Sequence, residues 1–292
     1  MNKKIIILTI SIITLLILAL LFFRIERKQF NGEKALEFVN DQVSFGFRTP
    51  GSEAHAQTID FIRTNLQKNN WNVEIQEETI DNGYTIQNII GKREVNQGPW
   101  IILAAHYDSR FVSDQDPDPG KRTLPVHGAN DGASGVGVLL ELSRVIPKNL
   151  NKNVWLVFFD AEDQGNIENW DWILGSRSFV KQLTGKPEKV VVIDMIGDAD
   201  LNLYYEHNSD TVLSEEIWNV ANKNGFGKSF IPQYKFRILD DHIPFVEAGI
   251  KAIDIIDFDY PYWHTQNDTV DKVSANSLNA VGKTLLEWLL IP

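Results

Sequence analysis

Three stretches of the chain, Trp100 to Ala105, Val154 to Phe159 and Val190 to Ile193, are apolar without a polar break, and each runs directly into acids or a histidine. Runs of this kind suit strands buried on both faces of a sheet. A different pattern precedes them. Val73 to Glu78 and Tyr84 to Gly91 alternate in strand fashion around Asp81-Asn82-Gly83, whose Asn-Gly step favours a tight hairpin, so they predict an antiparallel start to the sheet. Leu201 to Glu206 predicts a shorter strand, and Lys251 to Ile256 the last one.

Helical spacing fills the intervals. Gly32 to Val43 reads as a helix, and Ser52 is placed to cap a second in which Ala56, Ile59, Ile62 and Leu66 recur on one face. Further helices are expected over Val136 to Ile146, from Gly175, over about Val212 to Asn222, and briefly from Asp240. Ser274 to Leu290 closes the chain as an amphipathic helix, with Leu278, Val281, Leu285 and Leu289 aligned. Ser113 to Val126, acidic and proline-containing, has no pattern and reads as a surface loop. Strands alternating with helices specify an α/β fold, a three-layer α/β/α sandwich around a central mixed, mostly parallel twisted sheet.

One segment stands outside this scheme. Ile5 to Phe23 is uncharged and long enough to cross a bilayer as a helix, with Lys3 and Lys4 in front of it. It predicts an N-terminal transmembrane or signal helix. The lack of a small-x-small site near Leu18 to Phe23 favours an uncleaved anchor, although Arg24, Arg27 and Lys28 blunt the orientation signal. The expected organisation is a membrane anchor over 1–28 and one catalytic domain over 29–292, lying outside the cytoplasm, periplasmic or extracellular, and secreted if the anchor is removed. Nothing in a length of 292 residues forces a second catalytic domain.

Cysteine is absent, so disulfides, thiolate metal sites and a cysteine nucleophile are excluded, and any metal must use His, Asp and Glu. Net charge is −11, and the excess of acids grows once residues 1–28, with five bases and one acid, are set aside. Nucleic acid is not an expected partner for such a surface. The loop Gly128-Ala-Asn-Asp-Gly-Ala-Ser-Gly135 fails as a phosphate cradle, having neither the Gly-Lys-Ser/Thr ending nor the Gly-x-Gly-x-x-Gly spacing after a strand.

In open α/β sheets ligands bind beyond the carboxyl ends of the strands, and that is where the chemistry-bearing residues fall. His106 and Asp108 follow the first apolar strand, Glu162 and Asp163 the second, Asp194 the third; Asp131 at a helix start and His264 after the final strand can join them. Extended backbone at Glu162 and Asp163 would send those two side chains to opposite sides. Imidazole and carboxylate donors of this kind suit zinc. Singly, a lone histidine is more often a satisfied core or surface residue and a strand-end aspartate a helix cap; seven reached from one edge are harder to dismiss. His55 and His207 lack such a context, and His127 has no clear role.

Taken together, His106-x-Asp108, Gly128-Ala-Asn-Asp131, Glu162-Asp163, Asp194-Met-Ile-Gly197 and Trp263-His264-Thr265 resemble, in order and spacing, the motifs of the zinc-dependent M28 peptidase family, from about Phe45 onward. That family includes dinuclear aminopeptidases and mononuclear glutaminyl-peptide cyclotransferases, or glutaminyl cyclases. Asp240-Asp241-His242-Ile-Pro-Phe245 resembles the cyclase Asp-Asp-His motif, and Phe158-Phe-Asp-Ala-Glu-Asp163 the bacterial cyclases. Trp172 and Trp263 look like their pocket tryptophans, with Trp170 a competitor for the first. The resemblance implies Asp131, Asp163 and His264 around one zinc, Glu162 as proton shuttle, and Asp240 with Asp194 as a supporting acidic pair. It also implies a monomeric catalytic domain whose substrate is a peptide or protein carrying N-terminal glutamine. Asp108 is expected to orient His106. Because His106 and Asp194 are what a second zinc would need, an aminopeptidase with two metals is the alternative. A membrane-tethered binding protein that kept the fold without catalysis would lack a ligand or the base, and none is missing.

Overall fold

The computed structural model describes residues 28–95 and 97–291. The expected membrane segment, Ile5 to Phe23, lies outside the described residues; among those described, no helix is long and apolar enough to cross a membrane.

Two helices come first, α1 (Gly32–Ser44) and α2 (Glu53–Lys68). Each starts where a polar side chain takes up free backbone N–H groups, Asn31 for α1 and Ser52 for α2, which satisfies donors that the first helical turn cannot. The hairpin follows as β1 (Asn72–Thr79) and β2 (Thr85–Arg93), closed at Gly83, whose φ of +86° suits glycine. Then come β3 (Trp100–His106), α3 (Ala133–Val145), β4 (Asn153–Phe159), α4 (Leu174–Lys181) and β5 (Lys189–Asp194). The chain ends with β6 (Leu203–Glu206), α5 (Thr211–Lys223), β7 (Phe230–Phe236), α6 (Ile243–Glu247), β8 (Ala252–Ile256) and α7 (Ala275–Leu289).

Six strands form one sheet in the order β1-β2-β4-β3-β5-β8. The first two pairings are antiparallel, and β4, β3, β5 and β8 run parallel. Alternate residues of the parallel strands enter different layers. Ile101, Leu103 and Ala105 pack with α1, α2, α3 and α7, whereas Ile102 and Ala104 pack with Phe179 of α4 and Phe245 of α6. Burial on both faces is why these strands read as unbroken apolar runs, and the three layers match the expectation.

The sequence pattern missed β7. Its residues are mostly exposed, so no alternation marks it, and it pairs with β6 in a separate two-stranded sheet. The loop 113–126 also differs from expectation. It lacks regular structure, yet Ser113, Asp116 and Val126 are buried, tied to Leu124, Gln266 and Arg110.

Helix α3 lies unusually close to the sheet. A Cβ on Gly135 would sit 2.6 Å from the Ile193 carbonyl and 2.7 Å from Ala105 Cβ. In an exposed helix, glycine to alanine stabilises by about 1 kcal/mol. Here the sign should reverse, with Gly135→Ala costing about 1–3 kcal/mol through overpacking. Urea unfolding should show a lower midpoint at unchanged slope; an equal or higher midpoint would show that the close approach is not maintained.

Candidate active site

Because β3, β4, β5 and β8 are parallel, the residues that follow them meet at one edge. Asp131, Glu162, Asp163, Trp172, Asp194 and Trp263 line the same cavity there, of about 220 Å³, and Asp240 joins them from the turn before α6. His264 and His106 lie behind the lining, both buried. All ten residues expected at the site are therefore at or directly behind this cavity, Asp108 being fully buried against His106.

The chain does not stay extended at the acids after β4. Ala161 has φ of +50°, which breaks the strand geometry, and Asp163 bridges to Trp172 instead. Glu162 and Asp163 consequently both face the cavity rather than opposite sides. Ile173, Met195 and His264 also have φ between +44° and +54°. Such backbone costs on the order of 1–3 kcal/mol at a residue with a side chain and persists only where the surroundings over-determine it. Its concentration around the cavity marks these loops as held in place.

Buried hydrogen bonds supply that hold. The Asp108 carboxylate accepts from the backbone N–H of Glu162 at 3.1 Å and of Asp163 at 3.3 Å, and from Gln164 Nε2 at 2.9 Å. Its approach to His106 Nδ1 is longer, 3.4 Å, so anchoring this loop is its main work and orienting His106 the lesser part. Asp268 does the same for the Asp131 loop, accepting from Asn130 N at 2.8 Å, Asp131 N at 3.1 Å and the Tyr260 hydroxyl at 2.7 Å. Arg48, buried between α1 and α2, donates to the carbonyls of Tyr107, His127 and Gly128. None of Asp268, Gln164 and Arg48 carried a signal in the sequence beyond being polar.

Asp160, the first acid after β4, points away from the cavity. It bonds His55 at 2.8 Å, the Tyr84 hydroxyl at 2.7 Å and Gln87 N at 2.9 Å, tying α2 and the hairpin to the sheet. His55 is thus structural. His127 packs on Phe47 and His207 on Tyr234.

Among the described residues three groups of donors could hold a metal: two share Asp131, and the third is Asp240, His242 and Asp254 before and within β8. Asp131, Asp163 and His264 have ligand atoms within 4.8 Å of one another, as do His106, Asp131 and Asp194. These two differ in how well the protein satisfies them. His106 Nε2 lies 3.1 Å from Asp131 Oδ1 and 3.2 Å from Asp194 Oδ1, so in the second group one ring nitrogen already serves an oxygen of each carboxylate. In the first, His264 Nε2 lies 2.8 Å from Asp163 Oδ1 and 3.6 Å from Asp131 Oδ2, and both Asp131 Oδ2 and Asp163 Oδ2 are buried with no partner. Orphaned buried carboxylate oxygens beside an imidazole are what a cation would complete. Asp114 stands 3.3 Å from His264 Nδ1 and pairs with Arg110, which also donates to the carbonyls of Asp163 and Gly165.

The indoles resolve as well. Trp172 lies flat over Gly165, where a Cβ would come within 2.1 Å of its ring, and stacks at 12° to the His264 imidazole. Trp263 also stacks on His264, with centroids 3.8 Å apart. Trp170 instead packs on Tyr84 and Phe111, away from the cavity lining.

Charge is unevenly distributed over the acids. Burial, reinforced by Asp163, Asp240 and Asp241, pushes Glu162 well above the usual carboxylate range. Burial and the charge of Asp131 raise Asp163 to about 6, and burial raises Asp194 to about 7 against the pull of His106. For His264 burial disfavours charge, but Asp163, Asp114 and Asp131 outweigh it and lift the imidazole to about 9. Asp194 and Asp240, expected as an acidic pair, line the same cavity. The charge of Asp240 adds to the upward shift of Asp194, and burial, with the charges of Asp240, Asp194 and Glu206, pushes Asp254 well above the usual carboxylate range. Asp254 is an acid inside the apolar run Ala252-Ile253-Asp254-Ile255-Ile256, a signal available in the sequence but not used.

Comparison with known proteins gives a consistent result. A family model described as peptidase family M28 matches residues 88–289. A zinc-dependent exopeptidase structure from Parabacteroides distasonis is 34% identical with a TM-score of 0.86, covering 91% of this chain and 100% of that one. The glutaminyl cyclase structure from Tannerella forsythia is likewise 34% identical, at TM-score 0.85 and the same coverage. Drosophila melanogaster glutaminyl-peptide cyclotransferase is 25% identical over 83% of this chain and 77% of its own length.

If Asp114 fixes the ring of His264, Asp114→Ala should weaken zinc binding by roughly 10- to 100-fold, the usual cost of losing an outer partner of a ligand. Competition against a chromophoric chelator reads this directly, and unchanged affinity would remove Asp114 from the metal's support.

Proposed function

The chain belongs to peptidase family M28, and from that premise we propose that it is a zinc-dependent glutaminyl-peptide cyclotransferase, converting the N-terminal glutamine of peptides to pyroglutamate with release of ammonia. The observation that carries the choice within the family is Asp240 in the lining of a cavity walled by Trp172 and Trp263, which suits one small N-terminal side chain folded back on its own amine. The glutaminyl cyclase relatives support it.

Asp131, Asp163 and His264 would hold the zinc, which when bound polarises the γ-carbonyl of glutamine as a Lewis acid. The remaining work falls to the protein. Closure forms a bond between the α-amine nitrogen and the side-chain carbonyl carbon (Cδ) and breaks the bond from that carbon to the amide nitrogen. One proton must leave the attacking amine and reach the departing ammonia. Glu162 faces the cavity and its backbone N–H is held by Asp108, so it takes the proton and returns it, a role worth roughly 10²- to 10⁴-fold. Its raised pKa matches the second half of that task, when it must act as an acid. Asp240, in the lining of the same cavity, holds the amide nitrogen by a hydrogen bond. Trp172 and Trp263 exclude water, which would otherwise compete with the amine.

The contrast between the donor groups supports one zinc rather than two. His106 Nε2 already lies within 3.2 Å of both Asp131 Oδ1 and Asp194 Oδ1, whereas the orphaned Asp163 Oδ2 and Asp131 Oδ2 meet in the group with His264; Asp254 in the third group also leaves both oxygens orphaned, but burial favours its protonated form. The aminopeptidase reading keeps a specific observation in its favour, since His106, Asp131 and Asp194 are close enough to take a second ion. The apolar run at Ile5 to Phe23 supports an exported, membrane-anchored enzyme acting outside the cytoplasm.

Incubation of the zinc-loaded protein with a Gln-initiated peptide should release ammonia and leave a blocked N-terminus; free amino acids released instead would establish the aminopeptidase. Metal analysis of the same preparation should find one zinc per chain, and a stoichiometry of two would remove the argument from the donor groups. Glu162→Gln should retain zinc and fold while kcat falls by roughly 10²- to 10⁴-fold. Activity equal to the parent would assign the proton transfer elsewhere.

A further inference from the structure

We infer that Arg237 reads a carboxylate on the residue following the N-terminal glutamine, so that the enzyme favours substrates with an acidic second position; this rests on the cyclisation reading above. Among the described residues lining the cavity, Arg237 is the one cation, set against Asp131, Glu162, Asp163, Asp194 and Asp240. Those acids lie in the floor or behind it, and all are buried, while Arg237 is exposed at the mouth. A peptide entering amine first therefore puts its terminal residue among the acids and its next residue beside the guanidinium.

The arginine is held for that position. Buried Glu206 accepts from the backbone N–H of Ile238 at 3.0 Å and of Asn208 at 2.8 Å, and from His242 at 3.1 Å. Asn208 in turn donates to the Ile238 carbonyl at 3.1 Å and accepts from Arg237 Nη1. The segment from Arg237 to Asp240 is thus pinned from beneath at two points. Among the described residues the guanidinium bonds to the neutral Asn208 and forms no ion pair, unlike Arg63, Arg110, Arg144 and Arg177. Its charge is left for something outside the chain. Beside it Leu239, 50% exposed, and Phe258 offer apolar contact to the stem of such a side chain.

An exposed ion pair is weak, so the preference should be modest and salt-sensitive. With amidated tripeptides Gln-Glu-Ala, Gln-Ala-Ala and Gln-Lys-Ala at low salt, kcat/KM from ammonia release should fall in that order, glutamate exceeding lysine by roughly two- to five-fold. Arg237→Glu should reverse the order. Because the readout is a ratio between substrates, any general loss of activity in the variant cancels. An order that the variant leaves intact, or no discrimination by the parent, overturns the inference. Titration of the same peptides by indole fluorescence separates the two readings: preferential binding of the acidic peptide without ammonia release would remove cyclisation and keep the Arg237 contact, whereas equal affinities would remove Arg237.

Discussion

Burying many carboxylates at one edge of a sheet is the constraint to which the rest of this protein answers. Asp108, Asp131, Glu162, Asp163, Asp194, Asp240, Asp241, Asp254 and Asp268 are all buried there. An ionised carboxylate taken out of water without compensation costs far more than a domain's net stability, and neighbours of like charge add to the penalty. Each acid must be neutralised or compensated, and the means differ from one to the next. Asp108 and Asp268 take backbone N–H groups, Glu162 and Asp254 are favoured in their protonated forms, Asp194 leans on His106, and Asp131 with Asp163 leaves oxygens that a cation would satisfy. The roles proposed for these residues are the consequences of those different solutions.

The same constraint explains how firmly the loops are tied. Left-handed backbone at Ala161, Ile173, Met195 and His264 would relax if the surrounding bonds were weaker. The clamps come from distant parts of the chain: Arg48 from before α2, Asp268 from before α7, and Arg110 from the loop after β3. Arg48 feels the expense of this arrangement, its pKa drawn down to about 10 by burial despite the nearby acids. Preorganisation of this kind spares the site from rearranging when substrate arrives. It also ties the chemistry to the packing of the sheet, since a strand that shifted would carry its terminal acid with it.

Apolar strand runs, the hairpin turn, the helix caps and the acids at strand ends were legible in the chain, because burial on both faces, the turn at Gly83 and capping at Ser52 leave local marks. The residues proposed as donors, Asp131, Asp163 and His264, the proposed base Glu162 and the two tryptophans were picked out by the spacing of motifs, and the structure brings them to one cavity; the family was legible in the same way. The sequence did not reveal β7, whose exposed residues carry no alternation, nor the supports Asp268, Arg48 and Gln164, whose partners lie up to 138 residues away. It could not choose between Trp170 and Trp172, which differ only in which one has a glycine beneath it in space. It gave no sign that Asp254 would lie beside Asp240. Local chemistry is written in order along the chain, so the sequence determined which elements form and which side chains carry reactivity. Which acids keep their protons, which donor group is left unsatisfied and which indole walls the cavity depend on distances between residues remote in sequence, and only the packed tertiary structure sets those.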